Sequence, residues 1–543
     1  MRKISLLFAA LAIGAVGFSS VSAQDNIIKI ASQSPLSGPQ SALGIGIRNG
    51  TELAIRQLSG PIEALGFTIQ YVPFDDQALP DIGVANAQQI IADAAILGVI
   101  GHLNSGVAIP SSEVYVTADL VMISPSNTNP VVTDRGLPTV NRICGRDDFQ
   151  GPTAAQFAFD RGVTSVFILD DTTAYGVGLA DFFEQKAIEL GIEVLGRQGT
   201  AETANFDSII TPILALNPDA IFFGGIFNQT GVFINQARAA GFEGLYLSGD
   251  GSDSTEFAAL AGEAGIGTFL TSTAGPASLF PNAAQFIADY TEAFGGPPIT
   301  YATEAYDATA VLLLAIEQAI KDAGGMMPTR AAVAAAVRAV EYEGLTGPIS
   351  FDANGDRTFA TYYVLEVRSG DPATYDETKE VIAIVELPSP LTAAESEPAS
   401  IASIVADAAS GDEPEFTLLL TVVSAADPAI LEALADPDSN ITVFAPTDAA
   451  FLAAIEALGG DAAALLADTE LLTNVLLYHV VEGSVFSSDL STMMVPTLLG
   501  PELSIEVTES GVTVNGANVV VADIEASNGV IHVIDAVLLP PTE

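Results

Sequence analysis

The sequence predicts an α/β chain of doubly wound parallel sheets, followed by a smaller domain of α+β type. Three observations carry that expectation. Between Ile27 and about Ile266, short apolar runs alternate with longer amphipathic ones. Most of the short runs are apolar at every position, as strands are when helices cover both faces of a parallel sheet. After Lys379 the composition shifts: no Lys or Arg occurs from Glu380 to Glu543, and short helical stretches give way to period-two alternation.

The elements follow in order. Residues 1–23 have a charged start (Arg2, Lys3), an apolar stretch from Ile4 to Phe18 and a small-residue end at Val21-Ser22-Ala23. That is the pattern of a secretory signal peptide, too short for a membrane span, and it predicts export to the periplasm or beyond as a soluble chain. IIKIAS, FTIQYVPF, ILGVIGHL, LVMISPS, SVFILDD, IEVLGR, AIFFGG and LYLSGD read as strands. GVANAQQIIAD, GPTAAQFAFDRG, GVGLADFFEQKAIELG, FDSIITPILAL and GVFINQARAAG read as the helices between them. Residues 388–400, PSPLTAAESEPAS, read as an extended linker. Beyond it, SIASIVADAA and FTLLLTVVSAA are helical and ITVFAPTD is a strand. The last stretch alternates with turns at Ser510-Gly511, Asn515-Gly516 and Asn528-Gly529, which predicts antiparallel strands.

Charge and cysteine content narrow the function. The 543 residues carry 67 Asp and Glu against 18 Lys and Arg, a net charge of −49. Such a surface repels nucleic acid and anionic lipid and is best tolerated where salt screens it. The single cysteine, Cys144, permits no internal disulfide. Neither a nucleophile elbow, a zinc spacing nor a phosphate-binding loop is present, so no enzyme, cofactor or metal is expected.

Ligands of doubly wound sheets sit beyond the carboxyl ends of the strands, where Ser105, Ser126, Asp170, Gly224 and Asp250 fall. A helix starting near Ser105 and Gly106 offers free N–H groups to an anion without any basic side chain. Ser126 and Thr128 add hydroxyl donors at the next strand end. Asp250, between Gly249 and Gly251, supplies the opposite charge, and the two glycines leave room for a ligand to approach. Neutral donors facing a carboxylate suit a zwitterion. Each residue is equally intelligible alone as a helix cap. Glu304 and Asp307 favour a helix dipole, and His102 and Cys144 read as structural.

The stretches SPLSGPQSALG, IGHLNSGVAIPSSEVY, MISPSNTNPVVTDRG, RDDFQGPTAAQF, TAYGVGLA and INQARAAGF, in this order, resemble the type I periplasmic solute-binding proteins of the leucine/isoleucine/valine-binding family. The resemblance covers residues 26–386. It implies two lobes that close on a ligand, lobe 1 about 24–144 and 273–350 and lobe 2 about 145–272 and 351–387, with crossovers near Cys144, Ser272 and Phe351. It assigns Ser105, Ser126 and Thr128 to the ligand's carboxylate side, Asp250 to its ammonium, and Tyr175 and Tyr301 to the pocket. Leu43 and Ile226 stand where the family carries aromatics, and with Phe227, Tyr175 and Tyr301 they suggest an apolar or aromatic-tolerant pocket; the resemblance then implies an aliphatic amino acid and a partner permease of an ABC importer. Ala78 and Asn104 replace the family's cysteine pair.

NITVFAPTDAAFLAA, LLTNVLLYHVV and NGVIHVIDAVLLP resemble a fasciclin domain over about 401–541. This implies adhesion to a protein or polysaccharide. Asp448 is expected to cap the helix after FAPT, and Tyr478, His479 and His532 to sit in the core. The alternative to a transport receptor is a ligand-sensing or adhesion protein of the envelope or matrix without a transport role.

Overall fold

The computed structural model describes residues 26–392, 399–410, 414–436, 439–460, 462–487, 491–508 and 511–541; the expected signal peptide, the middle of the linker and Ser510 lie outside them. The chain divides into two compact units, up to Thr392 and from Ala393 onward.

In the first unit, β1 (Ile27–Ser34), β2 (Thr68–Asp75), β3 (Ile96–Gly101), β4 (Val121–Ser124) and β5 (Val140–Arg142) form a parallel sheet in the order β2-β1-β3-β4-β5. The second sheet holds β6 (Ser165–Asp170), β7 (Glu193–Gly199), β8 (Ala220–Gly224), β9 (Leu245–Ser248) and β10 (Thr268–Ser272) in parallel. The eight strands read from the sequence are all present. β3, β4 and β8 are buried along their whole length, as their apolar sequences require, while β2 and β7 lie at sheet edges and are partly exposed.

The parallel core of the second sheet is extended by two strands that the sequence reading did not include. β13 (Phe359–Glu366) and β14 (Glu380–Pro388) extend the second sheet antiparallel, β13 against β10 and β14 at the edge. The helices between β10 and β13 pack with the first sheet instead of folding back on the second, so no βαβ crossover imposes a parallel direction. The small hairpin β11 (Tyr342–Gly344) and β12 (Gly347–Ile349) precedes them. The chain passes between the sheets at 143–146, leaves the second after Ser272, and returns to it through 350–358. The helix Ala302–Asp322, buried along most of its length, packs against the helix Ser41–Leu58 and β3.

The linker reading is corrected at its start. Pro388 completes β14, and Ser389 is buried, its N–H donating to Thr358 and its hydroxyl to Asp352 Oδ2 at 2.7 Å.

The second unit is built on a seven-stranded sheet made from β15 (Ile441–Pro446), β16 (Val480–Glu482), β17 (Met493–Pro496), β18 (Glu502–Thr508), β19 (Gly511–Val514), β20 (Ala517–Ala526) and β21 (Gly529–Ile534). The expected antiparallel hairpins are there, but β15 pairs with β21 in parallel. These two strands are far apart in sequence, so no tight turn dictates their direction. Asp448 differs from expectation. Thr447 caps its own helix, accepting from Ala450 N–H, whereas Asp448 accepts from Thr417 and Leu418 and so caps the helix Thr417–Ala425.

Candidate functional site

Asp250 follows β9 and is buried, and four neutral donors surround its carboxylate. Oδ1 accepts from Gln150 Nε2 at 3.0 Å and Tyr175 hydroxyl at 2.8 Å. Oδ2 accepts from Tyr301 hydroxyl at 2.9 Å and Thr273 Oγ1 at 3.3 Å. Burial raises its pKa above the ordinary carboxylate value, with the four hydrogen bonds acting in the opposite direction.

The backbone explains how these groups converge. Gln150 lies on the helix Asp147–Asp160, and Tyr175 is in the first turn of the helix Ala174–Glu189. Tyr301 precedes the helix Ala302–Asp322 in a left-handed conformation, φ 69°. That geometry costs a non-glycine residue about 1–3 kcal/mol and is retained where the surroundings demand it. Here it accompanies a hydroxyl held on Asp250. Gly249 and Gly251 are required for another reason than the one read from sequence. A Cβ on Gly249 would lie 2.5 Å from the Tyr175 hydroxyl and 2.4 Å from Leu179, and one on Gly251 would crowd Tyr175 and Ile226. The glycines admit neighbouring side chains.

The opposite face comes from the first sheet. Ser105 opens the helix Ser105–Val116; the N–H groups of Ser105 and Gly106 precede its first bonds, those of Val107 and Ala108 to the Asn104 carbonyl at 3.0 Å. The Ser105 hydroxyl oxygen accepts from Asn129 N–H at 3.4 Å, leaving its own proton free to donate. Arg142, fully buried, pins the neighbouring loop through the carbonyls of Asn127 and Asn129 at 2.9 and 3.0 Å, and is itself held by Asp356 at 2.5 Å. Asp147 N–H donates to Thr128 carbonyl at 2.9 Å. The Thr128 hydroxyl also lies against the Asp147 carboxyl, yet it and both Asp147 oxygens lack a well-formed hydrogen bond, as does Gln150 Oε1. Burial, reinforced by Asp250, pushes Asp147 well above the ordinary carboxylate pKa.

Ser126 does not present the donor expected of it. Its hydroxyl donates to His102 carbonyl at 2.9 Å, so only its oxygen lone pairs remain for a ligand. Ser105, Thr128, Tyr175, Asp250 and Tyr301 are brought together, and Ile226 joins them beside Gly251 and Tyr175. Leu43 is fully buried in the core of this unit; the same helix presents Ser41, Ala42 and Ile45 to the open space between the lobes. The lobes touch at this site: Asn129 Nδ2 donates to Ala174 carbonyl at 2.7 Å, and Thr300 Oγ1 to Asp253 carbonyl at 2.9 Å.

Asp147 and Gln150 escaped the sequence reading. RDDFQG signals an acidic first helical turn, and only the fold carries that turn to Asp250. Other candidates are structural. Asp307 accepts from Leu345 and Thr346, His102 lies between Asp76 and Tyr115, and Cys144 is buried with its thiol pKa raised.

Among the described residues no group of His, Cys, Asp and Glu is arranged to hold a metal ion, and no helix is long and apolar enough to cross a membrane. Residues 27–372 match the family model of the periplasmic binding proteins, and residues 414–540 match the fasciclin domain. The chain is 33% identical over 372 residues to the Leu/Ile/Val-binding protein homolog 2 of Brucella abortus, covering 68% of this chain and 96% of that protein. It is 31% identical to the leucine-, isoleucine-, valine-, threonine-, and alanine-binding protein of Pseudomonas aeruginosa, over 65% of this chain and 93% of that one. The crystal structure of a leucine binding protein from Thermotoga maritima superposes with a TM-score of 0.59 at 30% identity, covering 66% of this chain and 98% of the other.

Proposed function

Because the chain belongs to the periplasmic binding proteins and carries a fasciclin domain, we propose that it is an exported receptor for an α-amino acid of the branched-chain class or one related to it, delivering that ligand to an ABC importer. The observation that supports this most directly is the pairing of chemistries across the cleft. A carboxylate pair, Asp250 and Asp147, stands on one side, and the open end of a helix with a free serine hydroxyl stands on the other. An ammonium takes the first and a carboxylate the second.

The mechanism follows from the same groups. Ser105 and Thr128 belong to one lobe and Tyr175 and Asp250 to the other. A bridging ligand makes its full contacts only when the lobes meet, and it therefore favours closure by its differential affinity. The Asn129–Ala174 bond ties the two lobes together. The fasciclin module holds the receptor against a polysaccharide or protein of the envelope. Its adhesion rests on apolar and hydrogen-bonding contacts or bridging cations, since it has no Lys or Arg.

Thermal-shift measurements of the purified chain against the amino acids, followed by calorimetry, test this reading. A ligand bound by the native state raises the melting temperature. No shift with any of them rejects the reading.

A further inference from the structure

A cavity of about 390 Å3 lies at the hinge, where the segment leaving β10 and the approach to the helix Ala302–Asp322 meet the turn after β9. Tyr301 belongs both to this cavity and to the Asp250 site, whereas Ser105, Thr128, Asp147, Gln150 and Tyr175 do not line it. Its wall is mixed. Pro276, Ile287, Pro298 and Ile299 are apolar, and the carboxylates of Asp253, Glu304, Asp376 and Glu377 outnumber the ammonium of Lys379.

The cations near Glu304 are already committed. Lys379 Nζ donates to Asp253 at 2.8 Å and pairs with Asp376 at 3.1 Å. Arg357 directs its guanidinium to the carbonyls of Ile143, Thr346 and Pro348 and to the Thr346 hydroxyl, at 2.8 to 3.2 Å. Glu304 is only 3% exposed and lines the cavity. Among the described residues the one donor its carboxyl meets is its own backbone N–H. Buried charges are ordinarily paired, so a carboxyl left without a partner on a cavity wall marks where a cation belongs.

Facing Glu304 are Asp307 on its own helix, Asp253 after β9, Arg357 on the segment returning to the second sheet and Tyr363 on β13. Burial, reinforced by Asp307 and Asp253 and opposed by Arg357, pushes Glu304 up to about 8. A proton therefore holds the place at neutral pH.

We propose that the hinge cavity is a second ligand site, for a small alkylammonium whose charge rests on Glu304 and whose carbon chain lies along Ile287 and Ile299. A metal ion suits the wall less well, because much of it is apolar and no group of His, Cys, Asp and Glu among the described residues is arranged to hold one. The incoming ammonium displaces the Glu304 proton to solvent. The site stands apart from the amino-acid reading, and neither depends on the other.

NMR titration of the full chain with n-butylammonium, n-butanol and butyrate, at constant ionic strength, tests the proposal. Affinity for the amine should rise about tenfold per pH unit from about pH 6 to 8 and then level off, following the ionised fraction of Glu304. Butanol and butyrate, which bring no positive charge, should bind at least about tenfold more weakly near pH 9. Glu304→Gln keeps the side chain's size and should cost the amine about tenfold or more near pH 9 and remove the pH dependence. Ser278→Trp, at an exposed position on the wall, should weaken the amine by filling the cavity while Glu304 stays in place. Unchanged affinity in either folded variant would put the amine on the acidic surface or at Asp250 and overturns the proposal. So does binding of butanol as tight as that of the amine, binding indifferent to pH, or no binding of the amine near pH 9.

Discussion

Around His479 in the second unit, every direction of a buried polar cluster is closed by the protein itself. The ring's Nδ1 meets Val475 carbonyl at 2.7 Å, and Nε2 accepts from Leu538 N–H at 2.9 Å. The adjacent Tyr478 hydroxyl accepts from Asn515 Nδ2 at 2.8 Å and donates to Glu502 carbonyl at 3.2 Å. His532 is held between Asp523 N–H and Val485 carbonyl. Around Asp147 in the first unit the rule is reversed, and carboxylate, hydroxyl and amide oxygens are buried without well-formed partners. Buried polar residues by themselves therefore separate nothing. What distinguishes a structural cluster from a binding site is whether the protein's own groups complete it.

The strongest way to break this contrast is at Asp250. Asp250→Asn removes the counter-charge from a desolvated ammonium, and calorimetry should show a loss of roughly 2–5 kcal/mol in binding. Unchanged affinity would make Asp250 a structural residue like His479.

The pH dependence sharpens the contrast, because the two units should respond in opposite directions. Burial pushes Glu304 up to about 8, from 4.5 in the unfolded chain. The folded first unit then holds more protons, so it loses stability as pH rises from about 4.5 through 8, on the order of 5 kcal/mol in total. Burial lowers His479 from 6.5 to about 4. The folded second unit holds fewer protons and loses stability as pH falls from about 6.5 through 4, on the order of 3 kcal/mol. Scanning calorimetry across this range should show two transitions with opposite slopes. Glu304→Gln should reduce the first slope, to which the raised Asp147 and Asp250 also contribute, and His479→Gln should flatten the second; slopes unchanged by these substitutions would refute the assignment.

A smaller effect separates two serines within one site. Ser105→Ala should weaken ligand binding by about 1 kcal/mol with little change in stability, since its proton is uncommitted. Ser126→Ala should lower stability by about 1 kcal/mol through the lost bond to His102 and leave affinity nearly unchanged. Reversal of the two would mean that Ser126 faces the ligand as a donor.

The smallest expected effect is that of removing the second unit. A chain ending at Thr392 keeps β14 and the Ser389–Asp352 bond. It should bind the amino acid within about 0.5 kcal/mol of the full chain. A larger loss in a folded truncated chain would mean that the fasciclin unit contributes to the site.

Much of this was legible in the sequence where one physical requirement acted alone. Central strands such as ILGVIG and AIFFG are buried on both faces and show it in every residue. β13 is a mostly buried antiparallel strand and β14 a partly exposed edge strand, and FATYYVLE and EVIAIVELP do not advertise a direction. The site was legible as residue types at strand ends, and Asp250, Tyr175 and Tyr301 do meet. Hydrogen-bond direction was not. Ser126 has the same local pattern whether it donates to a ligand or to His102, and Asp448 the same pattern whichever helix it caps. Asp147 and Gln150 are separated from Asp250 by about a hundred residues of chain, a relation that local spacing does not encode.

Lys379 is the last basic residue of the chain, and its ammonium is buried against Asp253 at 2.8 Å and Asp376 at 3.1 Å. A protease that cuts after Lys or Arg thus finds its final target enclosed and none beyond it. The native passage between the units and the whole fasciclin unit are closed to trypsin-like cleavage. After denaturation, the same digestion releases everything from Glu380 onward as one strongly acidic fragment. A protein joined in this way keeps its two modules together among proteases of that specificity, and separating them experimentally calls for an enzyme that cuts at acidic or apolar residues.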